Sequence, residues 1–194
     1  MKAPWRVAVH EAGHATIAHV LHRPVSSVWV SAKGPGRGMT KSDPTRLTTA
    51  DPWPVRLQRG TQEIAVYLVG DIAGSRLAAA APQPTGWRQE TDVDNEMARD
   101  LAQWLQPDPT QAERLVAECR QWAEQLVVAY RDQIEIVARA LVKRGRISGD
   151  DLSSLIGPIG DFDAPPFPAT ATFREGRRAA EVQPTEGPSA ETGG

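Results

Sequence analysis

The stretch Val7 to Ala18, VAVHEAGHATIA, sets His10 and His14 four residues apart with Glu11 between them, inside an otherwise apolar run. On an α-helix four residues advance about 400°, so the two imidazoles leave one face, a turn apart and within about 40° of each other. Two imidazoles so placed can share one metal ion. Glu11 is offset by about 100° from His10, which puts it beside the ion as a base for bound water instead of making it a third ligand. This is the HExxH arrangement. Imidazole and carboxylate ligands with an open position suit zinc, which brings its bound water to a pKa of about 7. One zinc ion per chain is therefore the expected cofactor. The competing reading has two ordinary helix histidines with local hydrogen bonds; the four-residue pattern with Glu11 in place favours a site. His19 lies about 180° from His10 and His22 about 120°, so neither joins it from this helix, and both are expected at the surface. Gly13 costs about 1 kcal/mol relative to alanine in a helix interior, which makes sense if another helix or a substrate passes close by; the alternative is a glycine without a role.

A third ligand has to come from elsewhere, and Gln89 to Leu105, QETDVDNEMARDLAQWL, is rich in acids. If the segment is helical, Asp94, Met97, Ala98, Leu101, Ala102 and Leu105 form one stripe with Asp94 at the head of the buried face. Asp92 and Glu96 point away by about 200° and Asp100 by about 120°. Spacing leaves two roles open for Asp94. It is a metal ligand, or it is the capping-box partner of Thr91 acting as helix N-cap. Glu90, one turn earlier, is the reserve ligand.

The composition bounds the rest. The 194 residues, 40% hydrophobic, suffice for one compact domain with a short appendage. With 22 basic and 24 acidic residues the formal net charge is -2, which gives no case for a nucleic-acid or anionic-membrane partner. Cys119 is the only cysteine, so no internal disulfide or thiolate zinc cluster can form within a chain, and a small buried or half-buried residue in a reducing cytoplasm is expected. No run approaches the roughly 18 to 20 apolar residues that span a bilayer. A cleavable signal peptide would consume the histidine motif itself. No GxxxxGK[ST] phosphate loop occurs. These features predict a soluble, cytoplasmic protein without membrane insertion.

A helix is expected over 4 to 22, between Pro4 and Arg23-Pro24. Val25 to Ser31 reads as a strand, the KGPGRG run at 33 to 38 as a turn, and Met39-Thr40 as the return of a hairpin. Residues 41 to 60 hold three prolines and read as a loop. Helical spacing resumes at Thr61, with Ile64, Leu68, Ile72 and Leu77 broadly on one side and Gly70 and Gly74 permitting close helix approach. After a proline-rich break at 81 to 86 come a helix from Thr91 to Leu105 and a long one from Thr110 to Arg144. Thr110 with Glu113 reads as its capping box and Gly145 as its stop. Ser148 caps a last short helix through Leu155. Residues 1 to 158 thus form the domain, and 159 to 194 read as a flexible proline- and glycine-rich tail.

Five segments, in order, resemble the peptidase domain of the FtsH family, the membrane-bound ATP-dependent zinc proteases of bacteria and organelles. They are VAVHEAGHATIAHVL, VSSVWVSAKGPGRGMT, VGDIAGSRLA, TDVDNEMARDLA and YRDQIEIVARALVKRGRISGDDLSSLI, and they span most of residues 5 to 156. The resemblance implies a mainly α (α+β), zincin-like helical domain with a small sheet or hairpin near the active-site helix. It implies a zinc metalloendopeptidase in which His10, His14 and Asp94 hold the ion and Glu11 activates zinc-bound water. It also implies a strand edge for substrate backbone near Val28 to Ser31 or at Met39-Thr40, and a protein or peptide substrate. A homo-oligomer or a separate ATPase is left open as partner. The sequence departs from the family at Leu77 to Ala81, LAAAA, where acidic residues are usual. The rival reading is a zinc-stabilised, non-catalytic interaction module that keeps the peptidase fold.

Overall fold

The HExxH stretch lies in α1 (Trp5–Val20), and from Arg6 to Ala18 every residue of that helix is buried. A helix apolar on nearly all sides is a core helix, and α1 packs against other elements all round. Pro4 precedes it in an extended conformation, where its missing N–H costs nothing. At the other end His22 takes the left-handed conformation, φ 57°, while Arg23 N–H donates to Ala18 O and His22 N–H to His19 O. These two bonds close a Schellman-type end just before Pro24.

The computed structural model describes residues 4–31, 38–42, 47–82, 87–157 and 167, with only the backbone of 87–90. After α1 come β1 (Val25–Val30), β2 (Gly38–Ser42), α2 (Trp53–Leu77), α3 (Trp87–Leu105), α4 (Pro109–Ala129), α5 (Arg131–Arg144), β3 (Arg146–Ser148) and α6 (Gly149–Ile156). The protein is therefore mainly α with one small antiparallel sheet, as the sequence predicts. Strand order is β2-β1-β3, with Val28 opposite Thr40 on one side and Ile147 on the other. Around α1 lie α2, α5 and the sheet, while α3 and α4 pack on α2. No helix among the described residues is long and apolar enough to cross a membrane.

Several expectations need correction. Residues 41 to 60 are not one loop: β2 runs to Ser42 and α2 starts at Trp53, with Pro52 as N-cap and Pro54 in the first turn, where proline is tolerated. Helix α3 begins at Trp87, so Thr91 lies a full turn inside it and is not an N-cap. The expected single helix from Thr110 to Arg144 is two, interrupted at Tyr130, which has φ -110° and ψ 24°. No glycine or proline marks that break, and the apolar periodicity runs through it. The cap of α4 is Asp108, whose carboxylate accepts the Gln111 N–H at 2.9 Å, so Thr110 and Glu113 do not form the capping box. Strand β3 was not foreseen, because three residues are too few to show alternation.

Other signals hold. Gly145 ends α5 at φ 76°, and Ser148 caps α6 by accepting the Asp151 N–H at 3.1 Å. The turn at 33 to 38, save Gly38, and the tail from 159 lie outside the described residues, except for Phe167. That ring meets Trp122 edge-on, 5.4 Å between centroids.

Candidate metal centre

Three elements meet at the histidine face of α1. His10 Nε2 and His14 Nε2 lie 3.0 Å apart, and Asp94 Oδ2, from α3, lies 3.2 Å from each. These three atoms form a nearly equilateral triangle. Ligand bonds of about 2.0–2.1 Å at tetrahedral angles separate neighbouring donor atoms by about 3.3 Å, so the triangle has the size a zinc ion needs. Both histidines are buried and Asp94 is half-buried. Because α3 starts before Thr91, Asp94 has no capping duty there, and its carboxylate turns to the histidines.

The tautomer of His14 is fixed from behind. Its Nδ1 sits 2.6 Å from Val66 O on α2, and a carbonyl can only accept, so Nδ1 carries the proton and Nε2 offers its lone pair to the centre. A Cβ at Gly70, one turn further along α2, would fall on His14 Nε2 and lie 2.8 Å from His10 Cε1. The absent side chain is the space in which the two imidazoles converge. Gly13 serves the same crossing: a Cβ there would lie 3.0 Å from Ala73 Cβ and 3.3 Å from Val69 O. Its cost in helix propensity thus accompanies the close passage of α2.

The electrostatics favour a cation. Burial pushes the His14 imidazole down, but the hydrogen bond and charge of Asp94, with Glu11 and Val66, outweigh it and raise the pKa to about 9. Asp94 is raised by burial and lowered more by hydrogen bonds and charge from His10 and His14, leaving it below the usual carboxylate range. Metal-free, the site holds a proton where a metal ion would put its charge.

Glu11 sits beside this triangle, 5% exposed. Burial raises its pKa more than the neighbouring histidines and Thr40 lower it. Thr40 Oγ1, on β2, lies 2.9 Å from Glu11 Oε2 and 3.0 Å from Glu11 O. One hydroxyl proton serves one acceptor fully at a time. When Glu11 is ionised Thr40 donates to the carboxylate; when Glu11 is protonated it can donate to Thr40 Oγ1, which then donates to the carbonyl. A Cβ at Gly38 would come within 2.5 Å of Glu11 Oε1, so a glycine leaves room for the carboxylate.

The structure brings together His10, Glu11, His14 and Asp94 and leaves out the other candidates whose side chains are described. His22 is exposed, whereas His19 is half-buried, with a buried Nε2, so only the first is the surface residue expected. Asp92, Glu96 and Asp100 are exposed on α3. The side chain of Glu90, the reserve ligand, lies outside the described residues. On the α3 stripe Ala98, Ala102 and Leu105 are buried, but Met97 is 44% exposed. Strand β1 is paired on both sides, so Val28 to Val30 offers no free edge; the edge near Glu11 is β2. The LAAAA segment closes the end of α2, where Arg6 donates to Ala78 O, Ala79 O and Ala81 O at 2.9, 3.2 and 3.0 Å. Thr40 entered the sequence reading only within the Met39-Thr40 strand edge that the resemblance implies, and Gly70 only through its spacing with Gly74; their places beside Glu11 and the imidazoles, like those of Gly38 and the Val66 carbonyl, were not foreseen.

No protein-family model matches the chain. The sequence is similar to the ATP-dependent zinc metalloprotease FtsH 2 of Sphaerobacter thermophilus, 30% identical over 203 aligned positions that take in 89% of this chain and 31% of that protein. The chain thus spans about a third of the length of that relative.

Proposed function

We propose that this protein is an FtsH-related zinc metallopeptidase, an endopeptidase in which His10, His14 and Asp94 hold one zinc ion and Glu11 is the general base. The observation that carries this is the triangle of His10 Nε2, His14 Nε2 and Asp94 Oδ2, 3.0–3.2 Å on a side, with a buried carboxylate next to it. Similarity to a relative named as a zinc metalloprotease supports the same chemistry.

Zinc at the triangle supplies Lewis acidity, polarising a scissile carbonyl and making water a nucleophile at neutral pH. The chain's own groups do the rest. Asp94 offsets the positive charge of the centre, and Val66 O keeps His14 Nε2 pointed into it. Glu11 takes the proton of the attacking water on its carboxylate and delivers it to the amine nitrogen as the peptide bond breaks. Burial favours that proton-holding state, and Thr40 Oγ1 stays within hydrogen-bond reach in both states. The outer edge of β2, unpaired among the described residues, offers backbone groups to an extended substrate strand alongside Glu11.

Substrates on this reading are protein segments that are already flexible, cut without ATP by these residues. An unfolding ATPase or further copies of the chain would act as partners, in the cytoplasm. Zinc quantification on wild type, His14→Ala and Asp94→Ala, beside cleavage of casein, tests the assignment. One zinc per chain in wild type is expected, with zinc and turnover both lost in the two variants. Full zinc occupancy in Asp94→Ala would remove Asp94 from the ligand set.

A further inference from the structure

A cleft of about 350 Å³ opens between α2 and α3, its lining beginning one helical turn from Asp94. Helix α2 contributes Glu63 and Tyr67, the latter directly after Val66; α3 contributes Met97, Asp100, Leu101 and Trp104. Leu47 is also in the lining. Met97 stands one turn beyond Asp94, Asp100 about 9 Å along the helix and Trp104 about 15 Å. An extended peptide advances about 3.3 Å per residue, so a substrate that leaves the centre along α3 would carry a side chain to this cleft within about three residues of the scissile bond.

The lining is amphipathic. Leu47, Tyr67, Met97, Leu101 and Trp104 form an apolar and aromatic wall long enough for an aliphatic stem. Glu63 is buried and already paired with the Arg23 guanidinium, so its charge is offset within the fold. Asp100 is exposed and forms no ion pair among the described residues. It also ends an exposed row with Asp92 and Glu96 at four-residue spacing, while neighbouring Arg99 is turned about 100° away. The Arg56 guanidinium lies 5.9 Å from the Trp104 ring, so Trp104 is left to a substrate as apolar wall and the charged head has to reach Asp100.

We propose that this cleft is a substrate subsite for a lysine or arginine side chain, with its methylenes against Leu101, Met97 and Trp104 and its charged head at Asp100. Long cationic side chains lie along apolar surface and keep their head group in water, and this wall and rim match that habit. A neutral aliphatic chain gains the wall and leaves Asp100 unused. An acidic one meets a like charge.

The inference rests on the peptidase reading, and its test has an arm that does not need turnover. Peptides carrying Lys, Arg, norleucine or Glu at each of three positions on either side of one bond are assayed for cleavage by wild type. They are also assayed for binding to zinc-loaded Glu11→Gln by fluorescence anisotropy. At one position, Lys and Arg are expected to exceed norleucine by about three- to tenfold, the range of an exposed ion pair with an aromatic contact, and Glu to be poorest. Asp100→Asn should bring the Lys-to-norleucine ratio to within about twofold, and high salt should shrink it in wild type. Thermal midpoints and zinc content confirm that the variants are folded and loaded. No position favouring Lys or Arg, or a preference that survives Asp100→Asn, overturns the subsite. Binding with that preference but no cleavage by wild type overturns the peptidase reading and leaves the cleft as a basic-peptide site.

Discussion

Thr40 Oγ1 lies 2.9 Å from the Glu11 carboxylate and 3.0 Å from the carbonyl of the same residue, so one hydroxyl on β2 spans both ends of Glu11. Thr40→Val keeps the shape and removes the bond. Hydrogen bonds to charged groups contribute about 1.5–3 kcal/mol, so kcat should fall by about tenfold or more while KM and zinc content change little. Thr40→Ser should recover most of the rate. An equal loss in both variants would assign Thr40 to packing of the strand alone.

Gly70 is where the two imidazoles meet α2, and an added Cβ has no room beside His14 Nε2. Gly70→Ala should raise helix propensity by up to about 1 kcal/mol yet lose zinc, because His14 or the helix must shift. Zinc content against thermal midpoint separates the effects. A variant that binds zinc as wild type does would show that the crossing gives way at no cost to the site.

The metal-free protein should show a pH dependence that zinc removes. His14 is raised from 6.5 in the unfolded chain to about 9 when folded, by Asp94 and Glu11 against the lowering effect of burial. Its stabilising contribution is fully present below pH 6.5 and is lost as pH rises through about 9. Glu11, also raised, acts in the same direction. Thermal midpoints of chelator-treated protein should therefore fall between pH 6.5 and 9, and those of zinc-loaded protein much less. A flat profile for the metal-free chain would contradict the Asp94–His14 contact.

Arg6 is buried and binds three carbonyls at the end of α2. Arg6→Leu should lower unfolding stability by about 1–3 kcal/mol in a urea titration, since the buried Ala78 carbonyl and two part-buried ones lose a charged donor. A change below about 0.5 kcal/mol would mean that water replaces the guanidinium there.

The local half of the site was legible in the sequence because it obeys helical phase. His10, Glu11 and His14 fall where a 3.6-residue repeat puts them, and Gly145 and Ser148 bound their helices as their chemistry requires. Asp94 was ambiguous from spacing, since the capping alternative depends on where α3 starts, and helix starts are read poorly from sequence. Pro52 and Pro54 misled for a related reason: a proline marks a break or a first turn, according to whether the residues after it go on to form a helix. Met39-Thr40 was legible as a returning strand and Gly38 as the end of a turn, but the contacts of Thr40 and Gly38 with Glu11, and of the Val66 carbonyl with His14, were not. Those groups reach the site through strand pairing and helix crossing, which are tertiary facts without a local pattern.

Casein turnover by zinc-loaded wild type and Glu11→Gln, with zinc measured in the same samples, tests the peptidase reading most directly. One zinc per chain is expected in both, with turnover in wild type reduced by at least about a hundredfold in the variant. Undiminished turnover in Glu11→Gln, or none in wild type carrying its zinc, would contradict that reading.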